Sequence, residues 1–298
     1  MADRSKIEWT DATWNMITGC DPISLACEKC YARRGARRFA GRFGYPKAPN
    51  HFDVTFHPDK LDLPLRWKKP RKVFACSMGD LFHDQVFEMK SPFDFWTAAR
   101  PGGFSYRLGS YITYTDYPML DAIFAVMERC PQHTFMLLTK RPWNMERYFA
   151  GVKRHKTVHA NQFKYCPTEA MQNSPAAMEA LRSARRPIPK NIWAGVTVEH
   201  HSCRWRVGEL LKIPAVVKFV SVEPMLSPVY LGNTRLEALD WVICGAQTGP
   251  GAQSMKLEWA RALRDRCQDF GIPFFFKSAG DNKPIPNDLM IREYPKTA

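Results

Sequence analysis

Short apolar runs at intervals along the chain constrain its fold more than any other feature. The runs are continuously hydrophobic, which is typical of strands that are covered on both faces in a parallel sheet. The segment WNMITG, which ends at Gly19, is a candidate for a further strand ahead of them. The six runs are KVFACSM ending near Ser77, HTFMLLT ending at Thr139, NIWAGVTV ending near Val198, VVKFVSV ending at Val222, WVICGA ending at Ala246 and IPFFFK ending at Lys277.

The stretches between these runs carry apolar residues at helical spacing and have the length of crossover helices. Strands that alternate with helices predict an α/β fold, and about seven strands suit a full or partial (β/α) TIM-like barrel. A doubly wound open sheet is the alternative, which we disfavour because no glycine-rich dinucleotide motif follows the first strand. The predicted helices span 28–42, 117–129, 141–148, 176–184, 201–211 and 256–270.

We expect a single barrel domain over residues 1–298, because single α/β barrels commonly reach this length. Two segments interrupt the rhythm of strands and helices. Residues 91–116 are rich in aromatic residues and glycine, and residues 151–190 are rich in basic residues. We interpret both as insertions beside the barrel, and the second as a candidate nucleic-acid contact.

The chain is strongly basic, with a formal net charge of +14. A basic surface raises the local concentration of polyanions and speeds their capture, so nucleic acid is the expected partner class. The alternative is a solvated basic surface without a dedicated partner. No apolar stretch is long enough to span a bilayer, and the N-terminal segment lacks the apolar core of a signal peptide. We therefore expect a cytoplasmic protein with no membrane partner.

The cysteines fall into two groups. Nine cysteines is an odd number for a chain that a reducing compartment keeps as thiols, so metal ligation or burial explains them better than disulfides. Most are scattered singly, and we interpret those as small buried hydrophobes. The scattered cysteines are Cys76, Cys130, Cys166, Cys203, Cys244 and Cys267.

The remaining three cysteines lie close together in WNMITGCDPISLACEKCYARR. Six residues separate Cys20 from Cys27, and two separate Cys27 from Cys30. A structural zinc site normally uses four protein ligands, and the nearest further candidates are His51 and Cys76, although a distant fourth ligand is still an alternative. Thiolates also suit iron–sulfur clusters, and a cubane held by three cysteines leaves one iron open for an external ligand. An open iron is a reaction site.

These segments resemble the radical S-adenosylmethionine (SAM) enzymes, particularly the branch near spore photoproduct lyase and its phage-borne relatives. That branch carries a strand, NPYRGC, a cysteine pair spaced by two residues and an aromatic–alanine–arginine run that enters a helix. The corresponding segments here are WNMITGC and CEKCYARR. The first cysteine spacing departs from the three residues typical of the superfamily. Further blocks extend the resemblance over most of the chain, namely SMGDLFHD, LLTKRP, AGVTVE, FVSVEPML, DWVICGAQTG and PFFFKSAG.

The resemblance implies a barrel of the radical SAM type in which Cys20, Cys27 and Cys30 bind three irons of a [4Fe–4S] cluster. The fourth iron would take the amino and carboxylate groups of SAM, and reduction by an external electron donor would release a 5′-deoxyadenosyl radical. The phage-borne relatives imply a DNA substrate with modified bases, and an isomerase-type rearrangement in thymine hypermodification. If a phage encodes the chain, its location would be the host cytoplasm.

Polar residues at the ends of the predicted strands are candidates for cofactor binding, because barrel active sites lie at the carboxyl ends of the strands. Ser77 and Asp80 are our first candidates for the SAM amine, a position that the resemblance implies, and a local turn or helix cap is the alternative. Thr139, Lys140 and Arg141 are candidates for the cofactor carboxylate or a nucleic-acid phosphate, against surface charge as the alternative.

Two carboxylates end later strands, and other polar residues lie beside them. Glu199 and Glu223 are placed to accept hydrogen bonds from ribose hydroxyls or a substrate amine, with a structural ion pair as the alternative. Gln247 stands where the relatives often carry glutamate, which suggests substrate specialisation. His200 and His201 lack metal-ligand spacing, and we interpret them as structural or surface residues.

Three functional hypotheses follow. The first is a radical SAM enzyme that modifies or rearranges a nucleobase substituent, and the second is a radical SAM lyase that repairs a DNA lesion. The third is a non-catalytic, zinc-containing nucleic-acid-binding protein, which predicts zinc in place of iron and no cleavage of SAM.

Some aromatic residues are candidates for stacking on bases, although core packing is the better interpretation for most of them. These are Trp14, Tyr31, Trp143, Trp193 and Trp205.

Overall fold

A computed structural model describes residues 5, 7–89, 118–150, 188–281 and 283–296. The predicted insertion at 91–116 lies outside these residues, as does the one at 151–190 apart from its last three positions. The predicted helix at 176–184 and Cys166 also lie outside them. The single domain over 1–298 stays a prediction.

A parallel sheet of seven strands forms the centre of the described chain. Its order is β1-β4-β5-β6-β7-β8-β9, so spatial order follows chain order without the reversal of a doubly wound sheet. The remaining two strands, β2 and β3, form a separate antiparallel ribbon. The strands are β1 Ala12–Trp14, β2 Ile17–Thr18, β3 Thr55–Phe56, β4 Lys72–Ala75, β5 Thr134–Thr139, β6 Ile192–Thr197, β7 Val217–Val222, β8 Trp241–Gly245 and β9 Phe274–Ser278.

Helices connect the strands at most of the predicted places. None of the described helices combines the length and the apolar character needed to cross a bilayer. The described α-helices are α1 Tyr31–Arg37, α2 Leu63–Arg66, α3 Asp84–Glu88, α4 Pro118–Glu128, α5 Pro142–Ala150, α6 Trp205–Leu211, α7 Asn233–Glu237 and α8 Leu257–Asp269.

Two predicted elements are placed differently in the structure. The first strand of the sheet lies at Ala12–Trp14, not across WNMITG, because the chain bends at Met16 and Ile17–Thr18 pairs with β3 instead. The predicted helix at 28–42 is shorter, since α1 ends at Arg37 and glycines with positive φ follow at positions 41 and 44.

Trp9 shows that the sheet is curled. Its ring centroid lies 4.8 Å from that of Phe74 on β4 and 6.1 Å from that of Trp241 on β8. A flat sheet would hold β4 and β8 roughly 19 Å apart, four strand spacings, so one ring could not contact both. The described strands β1 and β9 share no ladder. The sheet is therefore a partial barrel, which confirms the α/β expectation at this level.

The two faces of the sheet pack differently. Alternate residues such as Val73 and Ala75 face outward onto the helices, while Phe74 belongs to a separate cluster inside the curl. Position 195 on β6 requires glycine, because a Cβ there would collide with the ring of Phe219. The inner cluster fills the amino-terminal half of the curl and leaves space at the carboxyl ends of the strands. It consists of Trp9, Phe74, Met136, Trp193, Val217, Phe219, Trp241, Ile243 and Phe275.

We expect Trp9→Ala to lower the free energy of unfolding by about 3–5 kcal/mol, because the indole is buried among rings from three strands. Urea denaturation of the purified protein measures the change. Trp143→Ala is the matched control, since its ring is 39% exposed and its loss should cost less than about 1 kcal/mol. Equal losses in the two variants would contradict a central role for Trp9.

Candidate functional site

A cavity of about 360 Å³ opens at the carboxyl ends of the strands, above the inner aromatic cluster. Its wall is built by the loop that carries the three clustered cysteines and by the ends of β4 to β9. Most of the residues predicted for the site line this one cavity, and Glu199 is not among them. The predicted residues in the wall are Cys20, Cys27, Cys30, Ser77, Asp80, Thr139, Lys140 and Glu223.

The cysteine loop enters the cavity through a close backbone contact. Gly19 has a φ of 86° and forms a bridge with Gly79, and a Cβ at Gly19 would collide with the carbonyl group of Asp53. The next amide, of Cys20, donates to the carbonyl of Phe52 at 3.1 Å. Glycine is therefore required at the point where the loop leaves the ribbon. The loop then forms a single 3₁₀ turn at Leu25–Cys27, and α1 begins directly after Cys30.

Cys27 lies beside a cation. Lys140 Nζ is 3.6 Å from Cys27 Sγ, and Ser24 Oγ is 3.4 Å from the same sulfur. Burial by itself raises the pKa of the thiol, but Lys140 and the hydrogen bonds from Ser24 outweigh it, so the pKa of Cys27 lies below its ordinary value. Cys27 therefore loses its proton more readily than an ordinary cysteine does.

Cys20 has a different environment. Arg141 Nη1 donates to its sulfur at 3.2 Å, yet burial and the nearby Asp80 raise the pKa of Cys20 to about 12. The same guanidinium lies 3.4 Å from Asp80 and 3.7 Å from Asp84. Arg141 is buried, and it fixes the cysteine loop to the ends of β4 and β5. A positive ligand at the sulfur would be needed to hold Cys20 as a thiolate.

The thiols of Cys20, Cys27 and Cys30 line the same cavity. All three are free and partly exposed, and all three line the cavity. Among the described residues, no group of three His, Cys, Asp or Glu side chains lies close enough to hold one metal ion. The three sulfurs thus share one cavity, but among the described residues they do not form a site for a single metal ion.

Asp80 organises the wall through its own hydrogen bonds. Its Oδ1 accepts from Thr139 Oγ1 at 2.7 Å and from the Phe82 amide at 3.0 Å. Its Oδ2 accepts from the Lys140 amide at 3.3 Å and from Arg141 at 3.4 Å. Both oxygens of Asp80 are occupied, and the bond from the Phe82 amide is the local turn that was the alternative for this residue, whereas Thr139 is buried and does not fit its surface alternative. Cofactor binding by either residue stays a prediction.

Asn15 is a polar residue of the site that sequence reasoning missed. Its Oδ1 accepts from Ser77 Oγ at 3.1 Å and from the Met78 amide at 3.0 Å. Cys76, just before Ser77, has a φ of 61°, which is rare outside glycine and turns the chain sharply at the end of β4. Asn15 thus orients Ser77 toward the cavity, and its position between buried Trp14 and Met16 was the available signal.

Glu199 forms a buried ion pair. Arg206 Nη1 donates to Glu199 Oε2 at 2.7 Å and to the Thr197 carbonyl at 2.8 Å, and both charged side chains are nearly inaccessible. Burial raises the pKa of Glu199, but Lys140 and Arg206 more than offset this, so the pKa lies below its ordinary value. The ion-pair alternative holds for Glu199. Sequence reasoning missed Arg206 because it lies on α6, away from the strand ends.

Glu223 forms a second ion pair, with Lys277 at the end of β9, and this pair lies in the cavity wall. Its side chains are only 17% and 25% exposed. Gln247 also lines the cavity, and its Oε1 accepts from the Gln253 amide at 2.8 Å. Lys277 is therefore a site residue that the strand pattern did not single out. An anionic group and an amine or hydroxyl of a bound molecule could be held by this pair.

Helix α1 is fastened across the cavity to the loop after β8. Arg34 Nη2 donates to the Thr248 carbonyl at 2.8 Å, and Lys29 Nζ donates to the Gly251 carbonyl. Gly249 has a φ of 91°, and a Cβ there would collide with the Arg34 guanidinium. These contacts join the first loop of the sheet to its far side.

The other singled-out residues have local roles. The His200 side chain accepts from the Ser202 amide at 3.2 Å, and His201 accepts from Arg204 at 2.6 Å. Both fit the structural or surface interpretation. Of the scattered cysteines, Cys203 is half-buried, and those that are buried as expected are Cys76, Cys130, Cys244 and Cys267.

We expect Lys140→Met to shift the pH dependence of Cys27 alkylation to higher pH in the metal-free protein. Methionine keeps the length of the side chain and removes the cation that lowers the pKa of the thiol. Iodoacetamide labelling across a pH series, followed by peptide mass spectrometry, measures the midpoint for each cysteine. Lys140→Arg should keep the wild-type midpoint, and no shift in Lys140→Met would show that Lys140 does not act on Cys27.

We expect Arg206→Met to cost about 3–5 kcal/mol of unfolding free energy, because it removes the guanidinium that is hydrogen-bonded to the buried Glu199 carboxylate. The double variant Glu199→Gln/Arg206→Met should recover much of that loss. Since the folded-state pKa of Glu199 is lowered, the contribution is complete above its unfolded pKa and is lost as pH falls through the folded value. Urea denaturation at several pH values tests both points, and additive losses in the double variant would contradict them.

A family comparison places the chain among related sequences. Its residues 4–97 and 112–295 match the family model described as "Protein of unknown function (DUF5131)". No curated protein and no solved structure matches the chain. The matched stretches include the cysteine loop and every strand of the sheet. Because they cover well over half of its length, the chain belongs to the DUF5131 family.

Proposed function

We propose that this protein is a radical SAM enzyme that holds a [4Fe–4S] cluster through Cys20, Cys27 and Cys30. The observation that carries the proposal is the convergence of these three thiols on one cavity at the carboxyl ends of a partial parallel barrel. Active sites of barrels are built at this end. The resemblance of the cysteine segment to the superfamily adds support from the sequence.

The chemistry of the donor set fits such a cluster. Three free thiols line the cavity, and in such a cluster each of them would bind a different iron, so the sulfurs do not have to meet at one point. Lys140 and Arg141 approach the sulfurs of Cys27 and Cys20. Cationic N–H donors stabilise thiolates and tune the reduction potential of the iron that they bind. A cubane with three cysteines also leaves one iron for SAM.

When bound, the reduced cluster and SAM supply a 5′-deoxyadenosyl radical that can remove hydrogen from an unactivated C–H bond. The chain's own residues hold and isolate the reactants. The inner cluster around Trp9 forms the floor of the cavity. The contacts of Arg34 and Lys29 with the loop after β8 hold α1 against one side of the cavity. A closed apolar floor limits the access of water, which would otherwise allow side reactions.

The substrate in this proposal is a nucleobase with a modified substituent in DNA. The formal net charge of +14 favours a polyanion. Glu223 and Lys277 give the cavity one acceptor and one cation for the polar groups of a substituent. The resemblance to the phage-borne relatives implies rearrangement of a thymine substituent, as in phage DNA hypermodification, and this is the reaction that we propose.

Anaerobic reconstitution with iron and sulfide tests the reaction class. We expect roughly four irons and four sulfides per chain, and dithionite-dependent formation of 5′-deoxyadenosine from SAM. Cys27→Ala should lose both the cluster and the cleavage. Cys203→Ala is the matched control, because this cysteine is also partly exposed but does not line the cavity, and it should behave as wild type.

Stoichiometric zinc without cleavage of SAM would overturn the proposal and favour the zinc-containing nucleic-acid-binding protein. If cleavage is found, product analysis on modified and on ultraviolet-damaged DNA separates rearrangement from lesion repair. Turnover of damaged DNA alone would replace hypermodification with repair as the substrate assignment.

A further inference from the structure

Two exposed tryptophans stack on each other at the surface. The rings of Trp143 and Trp205 have centroids 5.8 Å apart and an interplanar angle of 22°. Their side chains are 39% and 45% exposed, whereas Trp14 and Trp193 are buried in the core. Large aromatic rings that are exposed next to each other are typical of binding surfaces. Single exposed apolar residues are common, but folding does not require two large rings to stack in contact with water.

The pair lies on two helices that begin at the carboxyl end of the sheet, the end where the cavity opens. Trp143 is near the start of α5, two residues after Arg141, which lines the cavity. Trp205 is the first residue of α6, which follows the loop at the carboxyl end of β6. The two helices pack against each other and so fix the relative position of the rings. Both rings therefore lie at the end of the sheet where the cavity opens, outside the lining of the cavity itself.

Two arginines lie beside the Trp205 ring, and of these Arg204 is the exposed one. The Arg206 guanidinium lies 5.9 Å from the Trp205 ring centroid, and Arg206 is itself fixed by its buried pair with Glu199. Arg204 is exposed next to Trp205 and donates to His201. Glu209, one turn further along α6, is paired with Lys212 at 2.8 Å. Arg204 is therefore the cation next to the rings that a phosphate can reach, while Arg206 fixes the Trp205 ring from the buried side.

We propose that Trp143 and Trp205 form a stacking platform for an unpaired base of single-stranded DNA, next to the nucleotide that enters the cavity. This inference rests on the proposed DNA substrate. The platform can bind any base through its π-face, and Arg204 is placed to contact the adjoining phosphate. Duplex DNA offers no free base faces except at its ends, so the platform selects unpaired strands.

Binding of a fluorescent oligothymidylate to the reconstituted protein, measured by anisotropy at several salt concentrations, tests the platform. Trp205→Ala and Trp143→Ala should each weaken binding by roughly 5- to 150-fold, the range expected for the loss of one stacked base. Trp205→Phe keeps a π-face and should retain most of the affinity, which separates stacking from loss of folding. Affinity for the same sequence as a duplex should change little.

The salt dependence separates stacking from charge. Arg204→Gln should lower the slope of log affinity against log salt by about one, whereas Trp205→Ala should leave the slope unchanged. Wild-type affinity in both tryptophan variants would overturn the platform. Loss of self-association in Trp205→Ala without any change in DNA binding would overturn it as well, and would assign the pair to an interface between two copies.

The failure of this inference is distinguishable from the failure of the proposed function. Wild-type protein that cleaves SAM but binds no single-stranded DNA would overturn the platform and leave the reaction class intact. Protein that binds single-stranded DNA through both tryptophans but assembles no cluster would support the platform and overturn the radical reaction.

Discussion

Trp9 packs against rings from β4, β7 and β8, and the position of the cavity depends on this contact. The indole and its aromatic neighbours fill the amino-terminal half of the curl. Close packing there leaves the free volume at the carboxyl ends of the strands, where the chain turns into its loops. The hydrophobic packing of the inner face thus determines where polar chemistry can occur. Gly195 contributes to the same packing, because the absence of a side chain on β6 leaves room for the ring of Phe219 on the neighbouring strand β7.

Above this layer, one network of charges connects the strand ends to the cysteine loop. Asp80 accepts hydrogen bonds from Thr139 and from the Lys140 amide, and it lies beside Arg141. Lys140 and Arg141 extend from there to two of the three sulfurs. A carboxylate that is saturated inside the protein therefore positions the two cations that contact the thiols. This explains why adjacent residues at the end of one strand serve different partners. Burial, together with Asp80, raises the pKa of Cys20, whereas Lys140 lowers that of Cys27.

Sequence reasoning found the strands of the sheet and most of the cavity wall, because continuous apolar runs and strand-end polar residues are local signals. It placed Glu223 in the wall but could not find Lys277 as its partner, since their contact depends on how β7 and β9 are arranged. It missed Asn15 and Arg206 for the same reason: their partners are distant in the chain or on another element. It also placed the first strand too late, because hydrophobicity alone does not show that the chain bends at Met16.

The long spacing between Cys20 and Cys27 has a structural explanation in the contacts of the intervening residues. Asp21 accepts from Arg141 through its carbonyl at 3.2 Å, and its carboxylate lies 3.2 Å from His83 Nε2. Ser24 contacts the Cys27 sulfur. The additional residues therefore fasten the loop to the ends of β4 and β5 and supply a hydrogen bond to a thiol. A loop fixed at these points can present its three sulfurs to one cavity despite its length, so the departure from the usual spacing is compatible with a shared cluster.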